Sequence, residues 1–267
     1  MNIISLIGVP WDASSSFQRG AALAPALIRQ ALWSPSSNAH NERGDDLADA
    51  AVFEDGGDVV FAGDAAAART AIETRVREVV KAGKKPLLLG GDHSITYPVM
   101  RGFSPRSEPP TIVHFDAHGD LYDEFDGDRY SHACPFARIS EERLAARIIQ
   151  VGIRTLTAHQ RAQASKFGVE TLGAERWRDA IPVIGRLRGS VYVSLDLDVL
   201  EPMLAPGLSH PEPGGLTVRD VLEVLYAIKI PVIGADVVEY NPGNDVRDLT
   251  ARVAAKFVKE LTGLMRR

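Results

Sequence analysis

The sequence predicts an α/β fold: one domain over residues 1–267, with helices on both faces of a mostly parallel, doubly wound sheet in three layers. Three observations lead there. Short apolar runs of strand length alternate with stretches of helical periodicity along the whole chain. No linker-like break, repeat or low-complexity tract interrupts that alternation. Three of the apolar runs end in Asp and His, and the carboxyl ends of parallel strands are where such sheets gather ligands.

Taken in order, residues 3–8 predict a strand, followed by a Ser- and Gly-rich loop from Trp11 to Gly20. A helix follows over Ala24 to Leu32, where Pro25 suits the first turn. Residues 36–49 are polar and irregular, 52–57 form a short strand and turn, and the Ala-rich run from Asp64 to Ala82 has helical periodicity. Next come a strand at 86–89, a helix from about Ile95, a strand at 111–115, an acidic loop at 121–130 and a strand at 147–152. Helices are expected over 157–167 and 174–186, then a strand at 191–195 and a Pro/Gly loop over 205–215. Thr217 caps a helix reaching about Ile228, 232–238 is the last strand, and 247–265 closes the chain as an amphipathic helix.

The 267 residues, 45% hydrophobic and 24% charged, suffice for one large core and carry no signature of disorder. A net charge of −5 with scattered Lys and Arg offers no basic stripe, so nucleic acid is not an expected partner. No apolar run approaches the ~20 residues that span a bilayer, and the first residues lack a charged leader, so no membrane partner is expected. The single Cys134 excludes an intrachain disulfide and points to a reducing, cytoplasmic compartment.

The chemistry is concentrated after residue 115. Asp116, His118 and Asp120 recur at alternate positions, and on an extended backbone they share one face just past a strand end. Asp196 and Asp198 repeat that spacing, and Gly90-Gly91-Asp92-His93 ends a third run. A lone Asp-x-Asp is more often a cap, but three such ends brought together repel unless a cation sits among them. His93, Asp116, His118, Asp120, Asp196 and Asp198 are too many for one tetrahedral ion and fit two ions ~3.5–4 Å apart. Four carboxylates and two imidazoles favour a harder ion than thiolate-bound zinc, so two Mn2+ per subunit are the expected cofactor. A water bridging two such ions ionises near neutral pH and attacks a cationic electrophile.

Gly90-Gly91-Asp92-His93-Ser94, Asp116-Ala117-His118-Gly119-Asp120 and Ser194-Leu195-Asp196-Leu197-Asp198 resemble the three signatures of the ureohydrolases, the arginase/agmatinase family. The 131–136 and 236–242 stretches, Gly8-Val9-Pro10-Trp11-Asp12 and the 213–217 turn agree, so the resemblance covers essentially the full chain. It implies a binuclear manganese enzyme that hydrolyses guanidino compounds to urea and an amine and assembles as a homo-oligomer, a trimer or hexamer. By position it implies that His93, Asp116, Asp120 and Asp196 hold one ion, and Asp116, His118, Asp196 and Asp198 the other. Asp120, His132 and Glu239 become the catalytic residues: His132 matches a mobile histidine that protonates the leaving amine, and Glu239 the glutamate that receives the guanidinium. Both roles are chemically sound, since a carboxylate pairs with a guanidinium through two parallel hydrogen bonds and a histidine donates protons near pH 7.

Departures from the family pattern bear on the substrate. Arginases carry Asn where this chain has Tyr122, which shifts the expectation from L-arginine towards an agmatine-like compound and towards agmatinase-like relatives. The acidic loop 123–128 is compatible with a distal amine, or with a solvated surface. His210 stands where the family often has Thr, so Tyr122 and His210 join His132 and Glu239 as substrate-binding candidates. Cys134 is expected to be a packed thiol, Asp92 to support a liganding histidine, and Trp11 and Phe17 to line the mouth or pack; His40, His114 and His159 have no partner pattern. Formimidoylglutamase, guanidinobutyrase, guanidinopropionate-hydrolysing and arginase activities fit the same scaffold, as does an inactive metal-binding subunit.

Overall fold

The structure is a computed structural model that describes residues 3–104 and 106–267; Met1 and Asn2, just ahead of the first predicted strand, lie outside the described residues. Eight strands form one parallel sheet: β1 (Ile4–Gly8), β2 (Phe53–Asp58), β3 (Lys85–Leu89), β4 (Thr111–Phe115), β5 (Arg147–Ile153), β6 (Glu170–Gly173), β7 (Val191–Asp196) and β8 (Val232–Val238), in the order β2-β1-β3-β8-β7-β4-β5-β6. The helices are α1 (Ala24–Leu32), α2 (Ala65–Lys81), α3 (Thr96–Gly102), α4 (Pro135–Glu141), α5 (Ala158–Phe167), α6 (Ala180–Ile184), α7 (Val218–Tyr226) and α8 (Leu249–Met265).

Alternate strand residues feed two separate cores, which makes the three expected layers. Leu6, Leu89, Val113, Val193 and Val237 pack with α1, α6, α7 and α8 on one face. Ile7, Leu88, Ile112, Tyr192 and Val238 pack with α2, α3, α4 and α5 on the other. Central strands are therefore apolar on both sides, as in β4 and β7, where every residue is buried.

Helix ends follow local chemistry. Asp64 caps α2 by accepting Ala67 N at 2.9 Å, and Thr157 and Thr217 open α5 and α7 with reciprocal capping boxes closed by Gln160 and Asp220. The closing helix begins two residues later than its periodicity suggests because Arg247 and Asp248 are left-handed, with φ of 54° and 57°. The helix expected over 174–186 is broken: a 3-10 turn with a non-helical Arg176 precedes the five-residue α6. Pro182 gives the reason, since it is tolerated in the first turn of α6 and would interrupt a longer helix. β6 is a short edge strand whose Glu-Thr-Leu-Gly composition carries no apolar run, so no pattern in the sequence marks it.

One close approach ties the first loop to the tip of β3. Asp92 N donates to Trp11 O at 2.9 Å, and a Cβ on Gly91 would stand 1.7 Å from that same oxygen. Gly91→Ala is expected to destabilise the protein by about 3 kcal/mol through this overlap, measured as a lower urea midpoint. An unchanged midpoint would mean that the loop yields freely.

Candidate metal centre and active site

The residues singled out from the sequence lie at the carboxyl ends of β3, β8, β7 and β4, which are neighbours in the sheet. Their convergence does not come from extended pleating, as the alternate spacing suggested. β4 ends at Phe115, Asp120 has φ of 48°, and Leu197–Val199 is a 3-10 turn. The tips are instead folded by aspartates that accept the N–H two residues on: Asp92 from Ser94 at 3.1 Å, Asp116 from His118, and Asp196 from Asp198 at 2.8 Å. The alternate spacing reports this turn chemistry, in which the first carboxylate shapes the loop that presents the second ligand.

His93 Nδ1 lies 3.1 Å from Asp116 Oδ2, 3.1 Å from Asp120 Oδ2 and 3.1 Å from Asp196 Oδ2, and has no hydrogen-bond partner that satisfies it among the described residues. Its tautomer follows from the other nitrogen. Ser194 Oγ gives its one proton to Asp236 Oδ1 at 2.7 Å, so at its 2.9 Å contact with His93 Nε2 it accepts. Nδ1 of the neutral ring thus presents a lone pair to three carboxylate oxygens. Buried lone pairs arranged in this way call for a cation. In its absence burial opposes a charged His93, while Asp116, Asp120 and Asp196 outweigh burial and raise its pKa well above the ordinary value. The pull that would protonate the ring is the pull that a metal ion satisfies.

A second cluster shares Asp116. His118 Nδ1 stands 2.7 Å from Asp198 Oδ2 and 3.4 Å from Asp116 Oδ1, so the two oxygens of Asp116 face different clusters. Burial, then Asp198 and Asp116, push Asp196 far above the carboxylate range, and burial with Asp116 raises Asp198 to about 6 despite His118. Four carboxylates and two imidazoles without a thiolate fit two hard divalent ions and suit manganese better than structural zinc. His93, Asp116, Asp120 and Asp196 converge as the first implied set has them; in the second, Asp116, His118 and Asp198 come together while Asp196 Oδ2 faces His93.

Residues that the sequence left without a role hold these ligands. His114, which lacked any partner pattern, is fully buried and sits 2.7 Å from Asp116 Oδ2 through Nε2. Gln150 fixes its tautomer: its Oε1 accepts from Thr171, so its Nε2 donates to His114 Nδ1 at 3.1 Å, leaving Nε2–H to donate to Asp116. Burial lowers the His114 pKa, in keeping with a neutral ring. Asp236 accepts from Ser194, from Thr96 at 2.9 Å and from Tyr192 at 2.6 Å, anchoring the chain that orients His93. Arg154 donates to the carbonyls of Asp198, Leu200 and Glu212 and binds the loop after β7 to the 212 turn. His114 and Gln150 could have been flagged as polar residues inside apolar strands; nothing local marks Arg154.

The clusters open into a cavity lined by Ser16, Tyr122, Phe125, Thr155, Thr157 and Gln160 together with His118, Asp120, Asp196, Asp198, His132, His210 and Glu239. Glu239, with φ of 66°, accepts His93 N at 2.8 Å and His132 Nδ1 at 3.0 Å on Oε1, while its buried Oε2 has no partner among the described residues. Burial works against charge on His132, but Glu239 outweighs it and the imidazole is raised to about 9. His210 lies 4.9 Å from the His132 ring and 5.9 Å from exposed Phe17; burial keeps its pKa low. Tyr122 lines the far wall and stacks on His159, ring centroids 5.6 Å apart.

Among the remaining expectations Asp92 is corrected, while Trp11, Cys134 and the acidic loop each follow a reading that the sequence allowed. Trp11 packs edge-on against Phe61 and does not line the cavity. Asp92 pins the first loop through Ser14 N at 3.0 Å and leaves the support of the His93 ring to Ser194. Asp123 is paired with Arg129 and Arg138 at 3.0 Å each, and none of the acidic side chains of loop 123–128 lines the cavity. Cys134 is a buried thiol, raised to about 12 by burial, as its packing role requires.

Stripping divalent ions with a chelator is expected to lower stability, because binding at a hundredfold excess over Kd contributes about 2.7 kcal/mol, and Mn2+ should restore it. A melting temperature indifferent to chelation and refilling would remove the cation from this account. Ser194→Ala is expected to weaken manganese binding about tenfold or more by freeing the His93 ring, measured by metal analysis after equilibrium dialysis.

Residues 2–263 match the Arginase family. The chain is 45% identical to the protein named Arginase 1, mitochondrial, of Arabidopsis thaliana over 271 residues, covering 96% of this chain and 79% of that one. It is 31% identical to an agmatinase of Bacillus anthracis over 263 residues, covering 97% and 90%. The structure of an arginase from Medicago truncatula superposes with a TM-score of 0.94 at 44% identity, covering 99% of this chain and 87% of that one. These identities do not favour the expected lean towards agmatinase-like members. With its signatures and its eight-stranded parallel sheet, the chain belongs to the arginase family of ureohydrolases.

Proposed function

We propose that the protein is a manganese-dependent amidinohydrolase that splits a linear guanidino compound into urea and an amine, with L-arginine as the first substrate to test. The observation that carries this is Glu239 Oε2, a buried carboxylate oxygen with no partner among the described residues, in the cavity that holds the candidate metal ligands. A guanidinium answers it with two parallel N–H donors and is thereby held over the cluster. Bound divalent ions supply an ionised water at neutral pH. His132 faces the same glutamate with Nδ1–H and supplies the proton that the leaving nitrogen must take up.

The far wall supports the choice of substrate. Tyr122, Phe125, Thr155, Thr157 and Gln160 are uncharged, and among the described residues no Lys or Arg lines the cavity. Such a wall suits a head group that is neutral overall, such as an α-amino acid zwitterion, better than the lone carboxylate of guanidinobutyrate or guanidinopropionate. The name of the 45% identical Arabidopsis relative agrees. Agmatine is the second reading, favoured by Tyr122 at the position where arginases carry Asn. A trimeric or hexameric assembly, which sedimentation velocity would measure, belongs to the same proposal.

Urea release from L-arginine, agmatine, guanidinobutyrate and guanidinopropionate, and formamide release from formiminoglutamate, rank the candidates in the manganese-loaded protein. L-arginine is expected to lead; the leading compound names the activity if it is another. Glu239→Gln keeps the shape and removes the charge, and is expected to lower kcat/KM by about a hundredfold or more. Full manganese occupancy with no turnover of any compound would replace the enzyme with a metal-binding subunit.

A further inference from the structure

Both nitrogens of the buried His132 ring are engaged. Nδ1 lies 3.0 Å from Glu239 Oε1, and since a carboxylate only accepts, Nδ1 carries a proton. Nε2 lies 2.9 Å from the hydroxyl of Ser16, an exposed residue of the first loop that also lines the cavity. Ser16 belongs to none of the motifs above.

This contact is not what docks the loop. Ser14 O accepts His132 N at 3.1 Å, and Ser14 N donates to Asp92 Oδ2 at 3.0 Å. On the other side of Ser16, Ser209 Oγ donates to Gln18 O at 3.2 Å, and Asp12 Oδ2 accepts Gly20 N at 2.7 Å. The backbone is held before and after Ser16 without its hydroxyl, so removing the hydroxyl leaves the loop docked. What the hydroxyl meets is the imidazole: with a partner on each ring nitrogen, the ring plane is fixed.

We propose that Ser16 is a positioning residue for proton delivery by His132: its oxygen accepts Nε2–H of the imidazolium and thereby holds Nδ1–H on the Glu239 side, where the guanidino substrate docks. The inference rests on the reading of His132 as the proton donor. In that step the Nδ1–H bond breaks, the lone pair of the leaving nitrogen takes the proton, and the C–N electron pair departs with that nitrogen. The imidazole is left neutral, with Nε2–H still on Ser16.

The charged groups that act on the ring are Glu239, Asp120 and Asp92, and His210 stands beside it. Loss of one acceptor destabilises the imidazolium relative to the neutral ring. The donor form should therefore be lost at lower pH.

Ser16→Ala in the manganese-loaded protein, assayed on the guanidino compound it turns over fastest, is expected to lower kcat about tenfold with KM changed by less than about twofold. The alkaline limb of the kcat profile moves to lower pH, while manganese content and melting temperature stay at native values. Ser16→Thr keeps the hydroxyl and is expected to restore both rate and profile. Independently of turnover, the pH midpoint for labelling of His132 by diethyl pyrocarbonate, followed by peptide mass spectrometry, falls in Ser16→Ala. Native kcat with an unmoved alkaline limb overturns the proposal, and so does a lowered kcat with an unmoved limb. If no guanidino compound is hydrolysed, the proposed function fails, and the labelling midpoint alone decides for or against Ser16.

Discussion

A single lone pair organises this molecule. His93 Nδ1 points at three aspartate oxygens, each 3.1 Å away, in a region closed to solvent. Neither the nitrogen nor the oxygens can satisfy one another, so the arrangement is stable only around positive charge. Everything nearby serves to keep those atoms from relaxing apart. Ser194 and Asp236 hold the ring, His114 and Gln150 hold Asp116, and the two apolar cores hold the strands from which all of them project.

The same demand accounts for the backbone strain in the site. Asp120 and Glu239 both adopt φ values that side chains with a Cβ disfavour, 48° and 66°. Each such residue costs on the order of 1–3 kcal/mol and persists because its surroundings overdetermine it. Glu239 is held by its own N–H on Gly91 O and by its carboxylate on His93 N, and Asp120 by Phe136 N on its carbonyl. The strained positions carry a metal-site carboxylate and the carboxylate that awaits the substrate, while the other chain tips are unstrained turns.

Much of this was legible in the residues alone. Alternating apolar runs and helical periodicity locate seven of the eight strands, because those strands are apolar enough to stand out; β6 is polar, short and at an edge, and did not. The six candidate ligands stand out because clustered Asp and His have few other uses at strand ends. Their geometry does not, since alternate spacing fits both a pleated strand and an aspartate turn, and only φ values separate the two. Supporting residues such as Asp236 and Arg154 act between positions far apart in the chain, and a local pattern carries no trace of that. The acidic loop fitted a distal amine or a solvated surface, and the structure favours the surface: Asp123 is matched by Arg129 and Arg138, and none of the loop's acidic side chains lines the cavity.

The strand order carries a consequence for how the protein is made. β8, the last strand, inserts between β3 and β7, so β2-β1-β3 and β7-β4-β5-β6 are joined only through it. A nascent chain therefore exposes two open sheet edges until residues 232–238 have left the ribosome, and its metal ligands on β3 and β4 remain on separate fragments until then. The His93 side of the candidate cluster is thus completed late in biogenesis, whereas Asp116, His118 and Asp198 come together within the second fragment, and the edges of β3 and β7 stay unpaired in the interval.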